Sequence, residues 1–94
     1  MNISNINYSD TEYIGGAHMD LKLLEHFISV VQYGSFSRAA QQSFVSQPTL
    51  SKSIKKLEEQ HQVILFERST RKLRLTDAGE LVYEQSLKII GSTN

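Results

Sequence analysis

Between Ser46 and Lys56 the chain sets Gln47, Thr49, Ser51, Lys52, Lys55 and Lys56 at spacings that a helix gathers on and beside one face. A helix fits the major groove of DNA, and these are groups that match base edges. Gln47 can pair bidentately with adenine N6 and N7. Thr49 and Ser51 can donate or accept, and the Thr49 methyl can touch a thymine methyl. Lys52 can reach guanine O6 or N7, or a phosphate. Pro48 lies between them and joins the base-facing set. Lys55, Lys56 and Arg38 suit phosphates better than bases. The helix start at Ser46, and a second near Ser35 and Ser37, offer unpaired N–H groups and a positive dipole end to phosphate. A polar, basic helix face is more often merely solvated, so the face alone decides nothing.

Other chemistries find little support. The chain has no cysteine, which removes disulfides, thiolate metal sites and cysteine nucleophiles. His18, His26 and His61 are far apart and lack metal-ligand spacing. There is no Ser/His/Asp arrangement, phosphate-cradling glycine loop or paired-carboxylate pocket, so we expect no enzyme and no cofactor in this domain. No apolar run approaches the roughly 20 residues that cross a bilayer. A soluble, cytoplasmic protein is expected, with no membrane partner.

Net charge is formally zero over 94 residues, which at first argues against nucleic acid. The distribution argues for it. From Ser35 to Leu75 there are eight basic side chains (Arg38, Lys52, Lys55, Lys56, Arg68, Arg71, Lys72 and Arg74) against three acids, a net of +5. The compensating acids lie in the two flanks.

One small domain must position these groups. A first helix is expected from near Asp20 to Tyr33, with Leu24, Phe27, Ile28 and Val31 as its core stripe. Gly34 ends it and Ser35 caps a short second helix whose Ala39-Ala40 pair lets another helix approach closely. After the turn Ser43-Phe44-Val45, Ser46 caps a third helix over 46–61 with Pro48 in its first turn. Leu50, Ile54, Leu57 and His61 form its apolar face, and Thr49, Lys52, Ser53 and Lys56 the opposite one. Val63-Ile64-Leu65-Phe66 reads as a strand, 68–74 as a hairpin tip, and Leu73 to Leu75 as the returning strand. Thr76 caps a last helix with two apolar stripes, Ala78, Leu81, Val82 and Ile89 on one side and Tyr83, Leu87 and Ile90 on another. A domain this small covers one stripe; the second needs a partner. The order is that of a mainly α winged helix-turn-helix: three helices, a two-stranded wing and a C-terminal linker helix. Residues 1–18, rich in Asn and Ser and without sustained periodicity, read as a disordered or loosely ordered tail or an extension added in cloning, with Met19 as the natural start.

From Met19 to Ile90 the chain resembles the N-terminal domain of LysR-type transcriptional regulators. The resemblance lies in Leu24-x-x-Phe27, Gly34-Ser35-Phe36-Ser37-x-Ala39-Ala40, Val45-Ser46-Gln47-Pro48-x-Leu50-Ser51, Ile54-x-x-Leu57-Glu58, Leu65-Phe66-Glu67-Arg68 and Leu75-Thr76-x-x-Gly79. No piece is decisive, but the ordered set is specific. It implies a DNA-binding domain over 19–76 and the start of a linker and dimerisation helix over 77–94, with the effector-binding domain of the full-length regulator absent. It implies the third helix in the major groove and Arg71 in the adjacent minor groove, with Arg68, Lys72 and Arg74 on the DNA backbone. Arg68 has a rival role, pairing with Glu67 or a helix acid to brace the wing. The resemblance further implies a bacterial, nucleoid-associated homodimer joined through the linker helix at Tyr83, Leu87 and Ile90. A tetramer in the full-length protein and a small-molecule inducer for the missing domain are also implied. Two departures stand out. The family usually has leucine where this chain has Ser43, so either Phe44 turns in to fill the space or the turn packs less tightly. The family favours glycine where this chain has Gln62, which calls for a strained backbone or a different exit.

Overall fold

The computed structural model of the chain describes residues 12–14, 17–68 and 72–91, with side chains from residue 20 onward. Its helices are α1 (Leu21–Tyr33), α2 (Phe36–Ser43), α3 (Gln47–His61) and α4 (Asp77–Ile90). Each begins on a residue whose side-chain oxygen accepts a hydrogen bond from the N–H three residues on: Asp20 from Leu23, Ser35 from Arg38, Ser46 from Thr49 and Thr76 from Gly79. Every helix ends on a left-handed residue. Gly34 and Gly91 adopt that conformation freely, whereas Phe44 (φ 58°) and Gln62 (φ 56°) carry a Cβ into it.

Helix α1 runs through the middle, packed against α2, α3 and α4. Its buried residues are Leu23, Leu24, His26, Phe27 and Val30; Ile28 and Val31, expected in the core stripe, are half-buried. A helix covered by three neighbours buries more than one stripe, so the single-stripe expectation was too narrow. Ala39 and Ala40 of α2 and Leu50, Ile54 and Leu57 of α3 complete the helical core. Phe27 lies at its centre, edge-on to Phe66 (centroids 5.6 Å apart) and to Tyr83 (6.1 Å).

The wing is more economical than the expected strand pair. Among the described residues its limbs meet in one antiparallel bridge, Phe66 with Leu75, flanked by hydrogen bonds from Glu67 N–H to the Arg74 carbonyl (2.8 Å) and from Thr76 N–H to the Leu65 carbonyl (3.0 Å). Leu65 and Phe66 turn into the core, which holds the first limb without a longer ladder.

Helix α4 corrects the stripe assignment. Gly79 and Ser86 are buried, and Val82, Tyr83, Ile89 and Ile90 pack on the core. Tyr83 and Ile90, expected on an unpartnered face, are therefore partly engaged within their own domain, because the aromatic contact with Phe27 draws that side of α4 inward. Leu81, expected on the covered side, is 59% exposed. His61, one turn beyond Leu57, is exposed rather than part of the apolar face.

Part of the 1–18 segment, expected as a disordered or loosely ordered tail or an added extension, is described. Glu12–Ile14 (β1) and Ala17–Met19 (β2) form an antiparallel pair with Ile14 opposite Ala17. Tyr13 and Ile14 are good strand formers, which suits this pairing. The remainder of the tail lies outside the described residues.

Candidate nucleic-acid interface

Helix α3 divides sharply. Leu50, Ile54 and Leu57, at i, i+4 and i+7, are 0%, 5% and 1% exposed and hold the helix on α1. Gln47, Pro48, Thr49, Ser51, Lys52, Lys55 and Lys56 are all exposed on the rest of the cylinder. The structure thus brings every expected α3 residue of the site onto one solvent-facing surface. The exception is Ser53, expected on the polar face, which is buried and 2.7 Å from Nδ1 of the buried His26 on α1. Its place three residues after Leu50 and four before Leu57 puts it at the edge of the docked face.

The helix start is built from local bonds. Ser46 Oγ accepts from Thr49 N–H (3.2 Å) and donates to Thr49 Oγ1 (2.9 Å). Ser46 thus has its proton committed within the cap, while Thr49 keeps its own hydroxyl proton to donate. Ser35 Oγ accepts from Arg38 N–H (3.1 Å), which leaves the Ser35 hydroxyl proton available. Ser37 and Arg38 are exposed on the first turn of α2. The turn between α2 and α3 settles the first departure from the family pattern. Ser43 Oγ bonds Ser29 Oγ (3.1 Å), replacing an apolar contact with a polar one. Phe44 stays 93% exposed and does not fill the space. Gln62 resolves the second by taking the left-handed conformation and donating its N–H to the Glu58 carbonyl.

A single carboxylate joins α3 to the wing. Glu58, 8% exposed, accepts from Leu65 N–H on one oxygen (2.8 Å) and from Arg68 on the other (2.9 Å). Arg68 thus takes the bracing role, through a helix acid, although 69% of its side chain remains exposed. Lys72 and Arg74 are exposed on the returning limb. Arg71 lies outside the described residues. At the base of the wing, Thr76 Oγ1 donates to the Ile64 carbonyl and accepts from Gly79 N–H (2.9 Å). A Cβ on Gly79 would collide with the Leu65 carbonyl oxygen, so α4 begins as close to the wing as a backbone can come.

Sequence reasoning missed Glu58, Ser53 and His26. Glu58 carried a usable signal: it follows the core residue Leu57 and comes four after Ile54, so it sits on the apolar boundary. The contact between His26 and Ser53 joins positions 27 apart, beyond any local periodicity.

A short helix, a turn, a docked helix with an exposed polar face, and a following hairpin define a winged helix-turn-helix. The chain belongs to the lysR family of bacterial regulatory helix-turn-helix proteins, whose family model matches residues 21–80. It is similar to the HTH-type transcriptional regulator BudR of Klebsiella aerogenes, 46% identical over 72 residues, which cover 77% of this chain and 50% of BudR. Among solved structures it resembles the BenM DNA-binding domain in complex with catB site 1 DNA (TM-score 0.74, 36% identity, 78% of each chain). The CbnR DNA-binding domain in complex with DNA is similar too (TM-score 0.72, 36% identity, 78% of this chain and 84% of that one). The matched region spans about a quarter to a half of the length of the curated relatives.

Proposed function

We propose that this chain is the sequence-specific, double-stranded-DNA-binding part of a LysR-type transcriptional regulator. Helix α3 enters the major groove and the tip of the wing, residues 68–74, enters the adjacent minor groove. The observation that carries the reading is the division of α3: an apolar ridge fixed on α1, and an exposed surface of amide, hydroxyl and ammonium groups. Gln47, Thr49, Ser51 and Lys52, with Pro48 among them, read base edges. Arg71 enters the minor groove, where a narrow A·T-rich segment attracts a guanidinium. Ser35, Ser37, Arg38, Ser46, Lys55, Lys56, Lys72 and Arg74 face the backbone, Ser46 through the helix terminus it caps rather than its hydroxyl. The likeness to BenM and CbnR domains solved with DNA supports this placement. The domain has no catalytic role and needs no cofactor.

In the full-length regulator an effector-binding domain takes a small-molecule inducer, and the protein works in the bacterial cytoplasm as a homodimer or tetramer. The dimer forms along α4. Leu81 and Leu87 supply its apolar contacts, with whatever surface Tyr83 and Ile90 leave outside their own core. Among the described residues no helix is long and apolar enough to cross a membrane.

Selection from random duplex DNA at physiological salt tests the reading. We expect a two-fold-related site to be enriched, with binding that falls about 10³-fold between 50 and 200 mM salt if about six phosphates are neutralised. Weak, salt-insensitive binding without enrichment would instead mark a protein-interaction module.

A further inference from the structure

Helix α3 docks on α1 through Leu50, Ile54 and Leu57, and such apolar contact is non-directional. It holds the helix down by packing, without the preferred direction of a hydrogen bond, and the polar tie of Glu58 to Leu65 and Arg68 lies toward the other end of the helix. Rotation about the helix axis matters at the DNA face. Side-chain tips lie about 5–6 Å from a helix axis, so a 10° roll moves them by roughly 1 Å. A shift of that size is enough to lose a bidentate contact. The bond between His26 and Ser53 adds a directional contact next to the base-facing residues. It joins the buried edge of α3 to α1 at 2.7 Å, with both residues 8% exposed. A roll in either direction stretches or bends the bond, and the Ser53 hydroxyl is too buried to exchange it for bulk water. Ser53 directly follows Lys52, the last base-facing residue, so the pin sits next to the reading segment.

We propose that His26 is a positioning residue for DNA reading: through Ser53 it sets the roll of α3, and thereby which base edges Gln47, Thr49, Ser51 and Lys52 meet. This rests on the DNA-reading assignment above. His26 acts from the far side of the helix, without touching DNA.

The test compares wild type with His26→Leu, His26→Asn and Ser53→Ala, measuring melting temperature together with the base preferences recovered by selection. Asparagine places a hydrogen-bonding atom at the δ position that Nδ1 occupies, so it can reach Ser53; leucine fills similar space without one. His26→Leu and Ser53→Ala should each lower the preference for the selected site over unrelated duplex on the order of tenfold, with non-specific affinity held. His26→Asn should recover most of that preference, and adding Ser53→Ala to it should abolish the recovery. Unchanged preferences in Ser53→Ala, or an asparagine variant no more selective than the leucine one, overturn the inference whatever the melting temperatures. Should His26→Leu not fold, Ser53→Ala and His26→Asn still decide between the outcomes. A wild-type chain that enriches no sequence overturns the DNA-reading assignment itself, and the inference with it.

Discussion

Phe44 and Gln62 bracket the reading helix, one in the turn before it and one at its end, both with φ near 57° and both bearing a Cβ that this conformation disfavours. Such a residue costs about 1–2 kcal/mol in a left-handed position, against a smaller entropic cost for glycine there. Gln62→Gly should therefore stabilise the domain by about 1 kcal/mol, read as a higher urea midpoint with an unchanged slope. A neutral or lowered midpoint would mean that the Gln62 side chain supplies a contact worth more than the strain. At the DNA face, Gln47→Ala should cost about 1–3 kcal/mol on the selected site and relax one base position. An unaltered selection profile would remove Gln47 from the base-reading set. The caps at Ser35, Ser46 and Thr76 and the exit at Gly34 were legible in the sequence, since each rests on the residue's own chemistry. Ser53 was not. Its hydroxyl looks like its neighbours on the polar face, and although its spacing from Leu50 and Leu57 turns it toward α1, its partner His26 lies 27 residues away.

At the level of elements, the order helix, helix, helix, wing, helix followed from apolar spacing, and the ends of α1 and α3 and the start of α4 fell close to where capping chemistry placed them. The wing was harder to read. Alternating apolar residues announce two strands, but Phe66 and Leu75 form one bridge, and much of the order comes from Glu58. Nothing in a strand pattern points to a helix carboxylate. Glu58→Ala should leave the Leu65 N–H without its acceptor and cost about 1–3 kcal/mol. Glu58→Gln should cost less, because an amide oxygen can still accept from Leu65 while the charge pair with Arg68 is lost. Equal losses would assign the effect to the ion pair. Hydrogen exchange at Leu65 reads the same contact directly, with faster exchange expected in the alanine variant.

For the molecule as a whole, the relevant asymmetries are of charge and of apolar surface. A formally neutral chain concentrates its basic residues between Ser35 and Leu75, where the reading helix and wing lie. Helix α4 turns Tyr83 and Ile90 toward the core and leaves Leu81 59% exposed. The sequence showed that α4 had more apolar surface than one small domain covers. It could not show which stripe the core would take, because that choice depends on Phe27 meeting Tyr83. The two kinds of position should respond differently. Leu81→Asp should shift sedimentation toward the monomer and leave the melting temperature of the monomer nearly unchanged. Ile90→Asp should lower that melting temperature, because it places a charge against the core. A dimer that survives both Leu81→Asp and Leu87→Asp would place the self-association elsewhere.

The contact of Gly79 with the Leu65 carbonyl has one further result. It joins the start of α4 to the base of the wing with no side chain between them, so the direction in which α4 leaves the domain is set by backbone packing. In a dimer built along α4, that direction sets how far apart, and with what phase around the duplex, the two reading helices are presented. Half-sites one helical turn apart require reading helices about 34 Å apart. In such a dimer the half-site spacing would follow from how closely a glycine approaches a carbonyl oxygen, far from any base-facing side chain.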